Sequence, residues 1–288
     1  MHSISKKTLA LFRATRLCLH LVYGLMVAII YPELKSSQQQ YILQIWSAEL
    51  LRILNVHVNT SGLSQLNFLH PGLIVTNHIS WLDVFILNAI SPMRFVAKSE
   101  VKSWPVIGWL CVRTKTLFIT RGKASDAARI NTRITELLNK GENLAVFPEG
   151  TTTNGKSVAR FHSSLLQAAI DAQVQVKPIA IRYEDQLGSL SNAAAYIDDV
   201  SLLTSIWNIL CCDELHVRLQ ATSPLDTLKA GRRNLAQTAQ SNIEAALDLM
   251  HVTPTTPCNQ NKKQSDETKA DLHFQSLYCV LLHSPRSK

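Results

Sequence analysis

The chain of 288 residues is long enough for one sizeable domain with terminal extensions, and its charged share of 17% lies below that of an ordinary soluble domain. Its net charge of +8 suits an anionic partner, either a phospholipid surface or an acidic substrate. No finger, homeodomain or RNP-like pattern is present, which excludes nucleic acid as the expected partner.

The first segment is basic and then apolar. Lys6, Lys7, Arg13 and Arg16 precede the run from Leu17 to Tyr31, which Pro32 ends. Fifteen such residues make a helix of about 22 Å, short of the roughly 30 Å hydrocarbon core. No small-residue cleavage pattern follows, so the expectation is an uncleaved anchor lying in or partly inserted into a membrane surface, with a single span as the alternative. A second helix is expected from about Gln39 to Leu54, where Ile42, Ile45, Trp46, Leu50 and Ile53 recur at helical spacing and predict core packing.

Strand-like and helix-like segments then alternate. Leu73 to Thr76, Phe95 to Lys98, Thr116 to Thr120, Leu144 to Phe147, Val174 to Tyr183 and Leu215 to Leu219 read as strands. A helix begins near Ser80, a long one follows Ser125 or Asp126 as cap and closes at Asn139-Lys140-Gly141, and Leu165 to Ile170 lies in another. This order is that of an α/β fold with its polar residues gathered at strand ends. The apolar stretch from Val200 to Cys212 reads as core, with a second membrane-facing patch as the alternative, and Thr253 to Asp271, rich in Thr, Pro, Gln, Asn and Lys, reads as a disordered tail. Three parts are expected: membrane-associated helices at 1–56, the α/β domain at 57–250 and the tail at 251–288. The six cysteines form no CxxC pair and sit mostly among apolar residues, which predicts buried thiols in a reducing compartment; no zinc-ligand spacing occurs.

Two segments can carry chemistry. In Asn77-His78-Ile79-Ser80-Trp81-Leu82-Asp83 a histidine sits in the turn between a strand and a helix. With Ser80 as N-cap, Asp83 becomes the third helical residue of a capping box and returns towards His78. A carboxylate there would fix the imidazole tautomer and stabilise the imidazolium formed when it accepts a proton from an alcohol; a purely capping Asp83 is the structural alternative. In Phe147-Pro148-Glu149-Gly150-Thr151-Thr152-Thr153-Asn154-Gly155 a strand gives way to a loop of hydroxyls and glycines suited to phosphate oxygens, with Glu149 suited to a cation or a substrate hydroxyl. Lys98, Arg113 and Arg121 are candidate cations, Arg121 at a strand end where a guanidinium could bind phosphate in bidentate fashion.

Together these segments resemble the phospholipid and glycerol acyltransferase family, above all bacterial 1-acyl-glycerol-3-phosphate acyltransferases, over roughly Leu73 to Tyr183. NHISWLD looks like the family's first motif, which implies that His78 and Asp83 form the catalytic dyad. Pro105 to Gly108 with Phe118 to Arg121, and then FPEGT, resemble the second and third motifs, which implies acceptor binding by Lys98, Arg121, Glu149, Gly150 and Thr151. Val176-Lys177-Pro178-Ile179 resembles the fourth, which implies a place for Pro178 on the acyl side. The family usually has arginine after FPEGT, where this chain has Thr152. The acceptor expected from the resemblance is 1-acyl-glycerol-3-phosphate, giving phosphatidic acid; that departure makes lyso-ornithine lipid the alternative, with Lys98, Arg121 or Arg160 available to replace the charge. The resemblance implies acyl-CoA or acyl carrier protein as donor, no metal or other cofactor, and a site at the cytoplasmic face of a bacterial inner membrane. A lipid-binding protein without turnover is the rival from another class.

Overall fold

The structure is a computed structural model that describes residues 6–120, 124–197 and 199–252. Arg121, expected to bind the acceptor, and the expected tail from residue 253 onward lie outside the described residues. The elements run α1 (Lys6–Ile30), α2 (Ser36–Ile53), β1 (Val56–Ser61), β2 (Gly72–Thr76), α3 (Leu82–Ile90), β3 (Arg94–Lys98), α4 (Ile107–Arg113) and β4 (Leu117–Ile119). They continue with α5 (Ala124–Asn139), β5 (Leu144–Val146), α6 (Gln167–Asp171), β6 (Gln175–Glu184), α7 (Leu202–Cys211), β7 (Leu215–Ala221) and α8 (Arg232–Val252).

The strands form one sheet in the order β1-β7-β6-β2-β5-β3-β4, parallel throughout except where β6 meets β7. Strands β2 and β5 are buried on both faces, which explains why they read as continuous apolar runs. Alternate residues feed two cores. Ile74, Ala145, Ile179 and Ile181 pack with α1, α2, α3 and α7 on one face. Leu73, Val75, Val146 and Ala180 pack with α5, α6 and α8 on the other. The α/β expectation holds, as a sheet between two helical layers.

Pro178 sits inside β6 without breaking it. Its carbonyl accepts the Thr222 N–H at 3.1 Å, and β7 pairs with β6 only from Ile179 onward. The N–H that proline lacks would point the same way, just past the end of β7, so no ladder bond is lost.

Three expectations need correction. The first helix begins at Lys6 rather than Leu17, and its 25 residues span about 37 Å. It is long and apolar enough to cross a membrane, yet it docks lengthwise. Ala10, Arg13, Leu17 and Ala28 are buried along one stripe, and Leu11, Phe12, Leu19, Val22, Tyr23, Met26, Ile29 and Ile30 are exposed on the other. Arg13 does not reach for a headgroup: its guanidinium donates to the carbonyls of Cys212 at 2.6 Å and Asp213 at 2.9 Å, closing the C-terminal end of α7. Second, the cysteines of this region are not core thiols. Cys18 and Cys211 are exposed, and Cys111 and Cys212 half-buried, because their helices turn apolar residues outward as well as inward. Third, Asp126 does not cap α5 through its own first turn. Its carboxylate accepts the Thr120 N–H at 2.6 Å, a bond that, with Arg129, holds the carboxyl down to about 2.

Candidate active site

His78 follows the C-terminal end of β2, and the loop from Phe147 follows β5, the neighbouring parallel strand. Both segments therefore emerge at the same edge of the sheet, where open α/β sheets place their sites. Lys98 ends β3 at that edge and is exposed.

The turn itself is built by Asn77. Strand β2 stops pairing with β6 at Thr76, level with Ile179, but the Asn77 side chain carries the ladder one step further. Its Nδ2 donates to the Ile181 carbonyl at 2.9 Å, and its Oδ1 accepts the Ile181 N–H at 2.8 Å. An amide side chain offers the same donor and acceptor pair as a peptide, so the main chain is free to swing His78 out of the sheet plane. The displaced His78 carbonyl accepts the Thr153 N–H at 2.8 Å.

Asp83 returns to the turn as its spacing predicts. Its Oδ2 lies 2.8 Å from His78 Nδ1 and accepts the N–H groups of Ile79 at 2.8 Å and Ser80 at 3.0 Å. The capping box is only half formed: helix α3 begins one residue later than expected, with Trp81 at its N-cap, and the Ser80 hydroxyl accepts from Leu82 N. The His78 ring stacks on Phe147 with centroids 3.9 Å apart, and its Nε2 has no hydrogen bond among the described residues. Asp83 is fully buried, whereas the His78 side chain is 20% exposed. One ring nitrogen is thus oriented by a carboxylate and the other is open to a substrate, the arrangement of a general base.

Two further residues complete the turn. Tyr183, which sequence reasoning missed, donates its hydroxyl to Asp83 Oδ1 at 2.6 Å. Strand β6 outruns β2 by five residues, and this overhang carries Tyr183 beneath the turn. Burial, with the charge of Asp83 second, holds the phenol well above its ordinary range, so it remains a donor. The available signal was a buried-strand tyrosine, whose hydroxyl must find a partner.

Glu149 is 4% exposed and holds backbone rather than facing outward. Its Oε1 accepts the His78 N–H and its Oε2 the Ala159 N–H, both at 2.7 Å. Gly150 adopts φ 69°, which glycine accepts without strain, and so turns the chain back beneath His78. Of the three threonines that follow, Thr151 is exposed, Thr152 donates its hydroxyl to the Tyr196 carbonyl, and Thr153 supports His78. The structure therefore gathers His78, Asp83, Glu149 and Gly150 at one turn. Pro178 is buried in the sheet level with Val75, and Arg160 is exposed. Arg113 caps α1 instead, donating to the carbonyls of Ala28 and Ile29.

Burial pushes the Glu149 carboxyl up to about 7, against the pull of its two N–H partners. A folded value above the unfolded one means that this group favours folding fully below about 4.5, and that the benefit is lost as pH rises to about 7. Glu149→Gln does not titrate, and its NH₂ must oppose one of two N–H donors. The expected result is reduced transfer and a stability difference from wild type that varies with pH by roughly 3 kcal/mol across this window. Denaturant midpoints at several pH values measure it; a constant difference would rule out titration of Glu149.

The acyltransferase family model matches residues 57–182. A lyso-ornithine lipid O-acyltransferase of Pseudomonas aeruginosa is 39% identical over 209 residues, 73% of this chain and 79% of the relative. A 1-acyl-sn-glycerol-3-phosphate acyltransferase of Neisseria meningitidis is 37% identical over 166 residues, 57% of this chain and 65% of the relative. The crystal structure of the 1-acyl-sn-glycerophosphate acyltransferase of Thermotoga maritima superposes with a TM-score of 0.60 at 18% identity, covering 85% of this chain and all of that one; at that identity it shows the shared fold.

Proposed function

The chain belongs to the acyltransferase family, and we propose that it acylates the free hydroxyl of a lysolipid from an acyl thioester, with His78 as base and Asp83 as its partner. The observation that carries this reading is the His78 Nδ1 to Asp83 contact at 2.8 Å, with an Nε2 that makes no hydrogen bond among the described residues. His78 Nε2 removes the hydroxyl proton as the oxygen attacks the thioester carbonyl. The tetrahedral intermediate collapses with cleavage of the carbon–sulfur bond, and the leaving thiolate takes the proton from the imidazolium. Acyl-CoA or acyl carrier protein supplies the thioester. In this reading Lys98, Arg121 and Thr151 face the acceptor head group, Glu149 and Gly150 hold the turn against it, and Pro178 bounds the acyl side.

Lyso-ornithine lipid is the acceptor we favour. Thr152 stands where the family carries arginine, and its hydroxyl is spent on Tyr196 rather than on a ligand. An amino-acid head group with one carboxylate needs less cationic charge than a phosphate monoester. Lysophosphatidic acid is the second reading, supported by the cations Lys98 and Arg121 and by the Neisseria relative. The outer stripe of α1 would lie in the lipid interface, at the cytoplasmic face of a bacterial inner membrane where acyl thioesters are made available.

The test is transfer from labelled acyl-CoA and acyl carrier protein to each lysolipid in detergent micelles, with His78→Ala as control. Product only with lyso-ornithine lipid supports the first reading. Efficient use of lysophosphatidic acid would overturn it and show that other cations replace the missing arginine. Binding without turnover, with either donor, would leave a lipid-binding protein.

A further inference from the structure

The segment from Lys98 to Lys115, which holds Lys98 and the Pro105 to Gly108 motif, also carries exposed apolar side chains that the catalytic reading does not use. After β3 a tight 3₁₀ turn over Ser99–Ser103 leads into Trp104-Pro105-Val106, and α4 follows. Val106 has φ 65° and ψ −58°, and the Ile107 N–H donates to the Pro105 carbonyl at 2.7 Å. That is a three-residue γ-turn of the rare, strained kind, at a β-branched residue for which positive φ is most costly. Nor can the turn relax by drawing α4 away. A Cβ on Gly108 would lie 2.1 Å from the Lys102 carbonyl oxygen, so the backbones of the turn and the helix are in direct contact.

The product of this geometry is an apolar knob. Trp104 is 38% exposed, Val106 50%, Trp109 41% and Val112 47%. Arg113, which stacks on Trp109, ties the far end of α4 to the carbonyls of Ala28 and Ile29, so the knob adjoins the exposed Met26, Ile29 and Ile30 of α1. Lys98 and Lys102 are exposed beside a single carboxylate, Glu100, whereas Arg113 and Lys115 are half-buried, donating respectively to the carbonyls of Ala28 and Ile29 and to Gln39 Oε1. Two tryptophans beside exposed apolar residues, with Lys98 and Lys102 exposed on the same segment, are the composition of a membrane–water interface facing anionic lipid.

We propose that the Trp104–Val112 knob inserts into the headgroup region of an anionic bilayer, as a second membrane contact adjoining the C-terminal end of the outer stripe of α1. This rests on the membrane reading above and sharpens it. The segment that begins at Lys98 is itself seated in lipid, so the acceptor enters from the bilayer plane.

The test is partition of the full chain onto phosphatidylglycerol-containing and purely zwitterionic vesicles, with wild type, Trp104→Ser and Trp104→Ser/Trp109→Ser. Trp104 is 38% and Trp109 41% exposed, so both variants lose some packing, and thermal midpoints are measured to confirm that each remains folded at the assay temperature. The expected result is a fall in partition onto anionic vesicles of about tenfold for the double variant and a smaller fall for the single one. Transfer to a short-chain lysolipid below its micelle concentration should be unchanged. Wild type that fails to bind either vesicle would overturn the membrane reading itself. Wild-type binding matched by both variants would overturn the knob alone. An equal loss of transfer to the dispersed acceptor would place these tryptophans in the acceptor site, and a change in molecular mass without loss of partition would mean a protein contact.

Discussion

His78→Ala is expected to lower acyl transfer by about 10²- to 10⁴-fold while leaving the fold intact. The ring is placed by two independent contacts, neither of which is needed to hold the backbone of the turn. Nδ1 meets Asp83, one face lies on Phe147, and only the Nε2 side is open. The backbone of the same residue is held separately, its N–H by Glu149 and its carbonyl by Thr153. Alanine keeps both backbone bonds, so the turn should survive loss of the ring. Asp83 loses one of four donors and keeps Ile79, Ser80 and Tyr183, which bounds the stability cost at about 1–3 kcal/mol. Circular dichroism and a thermal melt check the fold, and initial rates at saturating donor check the chemistry. A pure, folded His78→Ala sample with near-normal transfer would mean that the base lies elsewhere.

The sheet was legible in the sequence because its central strands are unmixed apolar runs, and the site was legible because it sits where those runs stop. Leu73 to Thr76 ends at Asn77-His78, and Leu144 to Val146 ends at Phe147-Pro148-Glu149, with the relevant polar residues immediately after. Strand β1 was not read. Val56-His57-Val58-Asn59-Thr60-Ser61 is an edge strand with only two apolar residues, and its partner β7 lies far along the chain. Helix α8 was missed for a different reason. Its buried stripe includes Ala236, Ala239 and Ala246 between Leu235, Ile243 and Met250, and alanine carries helix propensity without a strong hydrophobic signal. Asn77 and Tyr183 escaped because their roles depend on β6 lying beside β2, a pairing across about a hundred residues that no local spacing encodes. The role expected of Glu149 shows the same limit. A carboxylate in a loop of hydroxyls suggests a ligand, and only the fold reveals that both its oxygens face backbone N–H groups.

Asp83→Asn is expected to cost about 10²-fold or more in transfer, and the bonding around Asp83 makes the cause of that loss separable. Oδ2 faces three donors: His78 Nδ1, Ile79 N and Ser80 N. An asparagine NH₂ cannot sit against two backbone N–H groups, so the amide oxygen must take this position and the NH₂ must face Tyr183. The Tyr183 hydroxyl can reverse its role and accept. The imidazole therefore keeps an acceptor for its Nδ1–H and keeps its tautomer. What it loses is the negative charge that stabilises the imidazolium formed when the acceptor hydroxyl is deprotonated. Tyr183→Phe makes the opposite change, keeping the charge and removing one donor, and should cost no more than about tenfold. Steady-state kcat/KM for the two variants, with thermal midpoints to confirm folding, distinguishes the contributions. A Tyr183→Phe loss as large as that of Asp83→Asn would mean that orientation of the carboxylate, rather than its charge, limits the reaction. An Asp83→Asn enzyme close to wild type would remove Asp83 from the chemistry and leave it a capping residue.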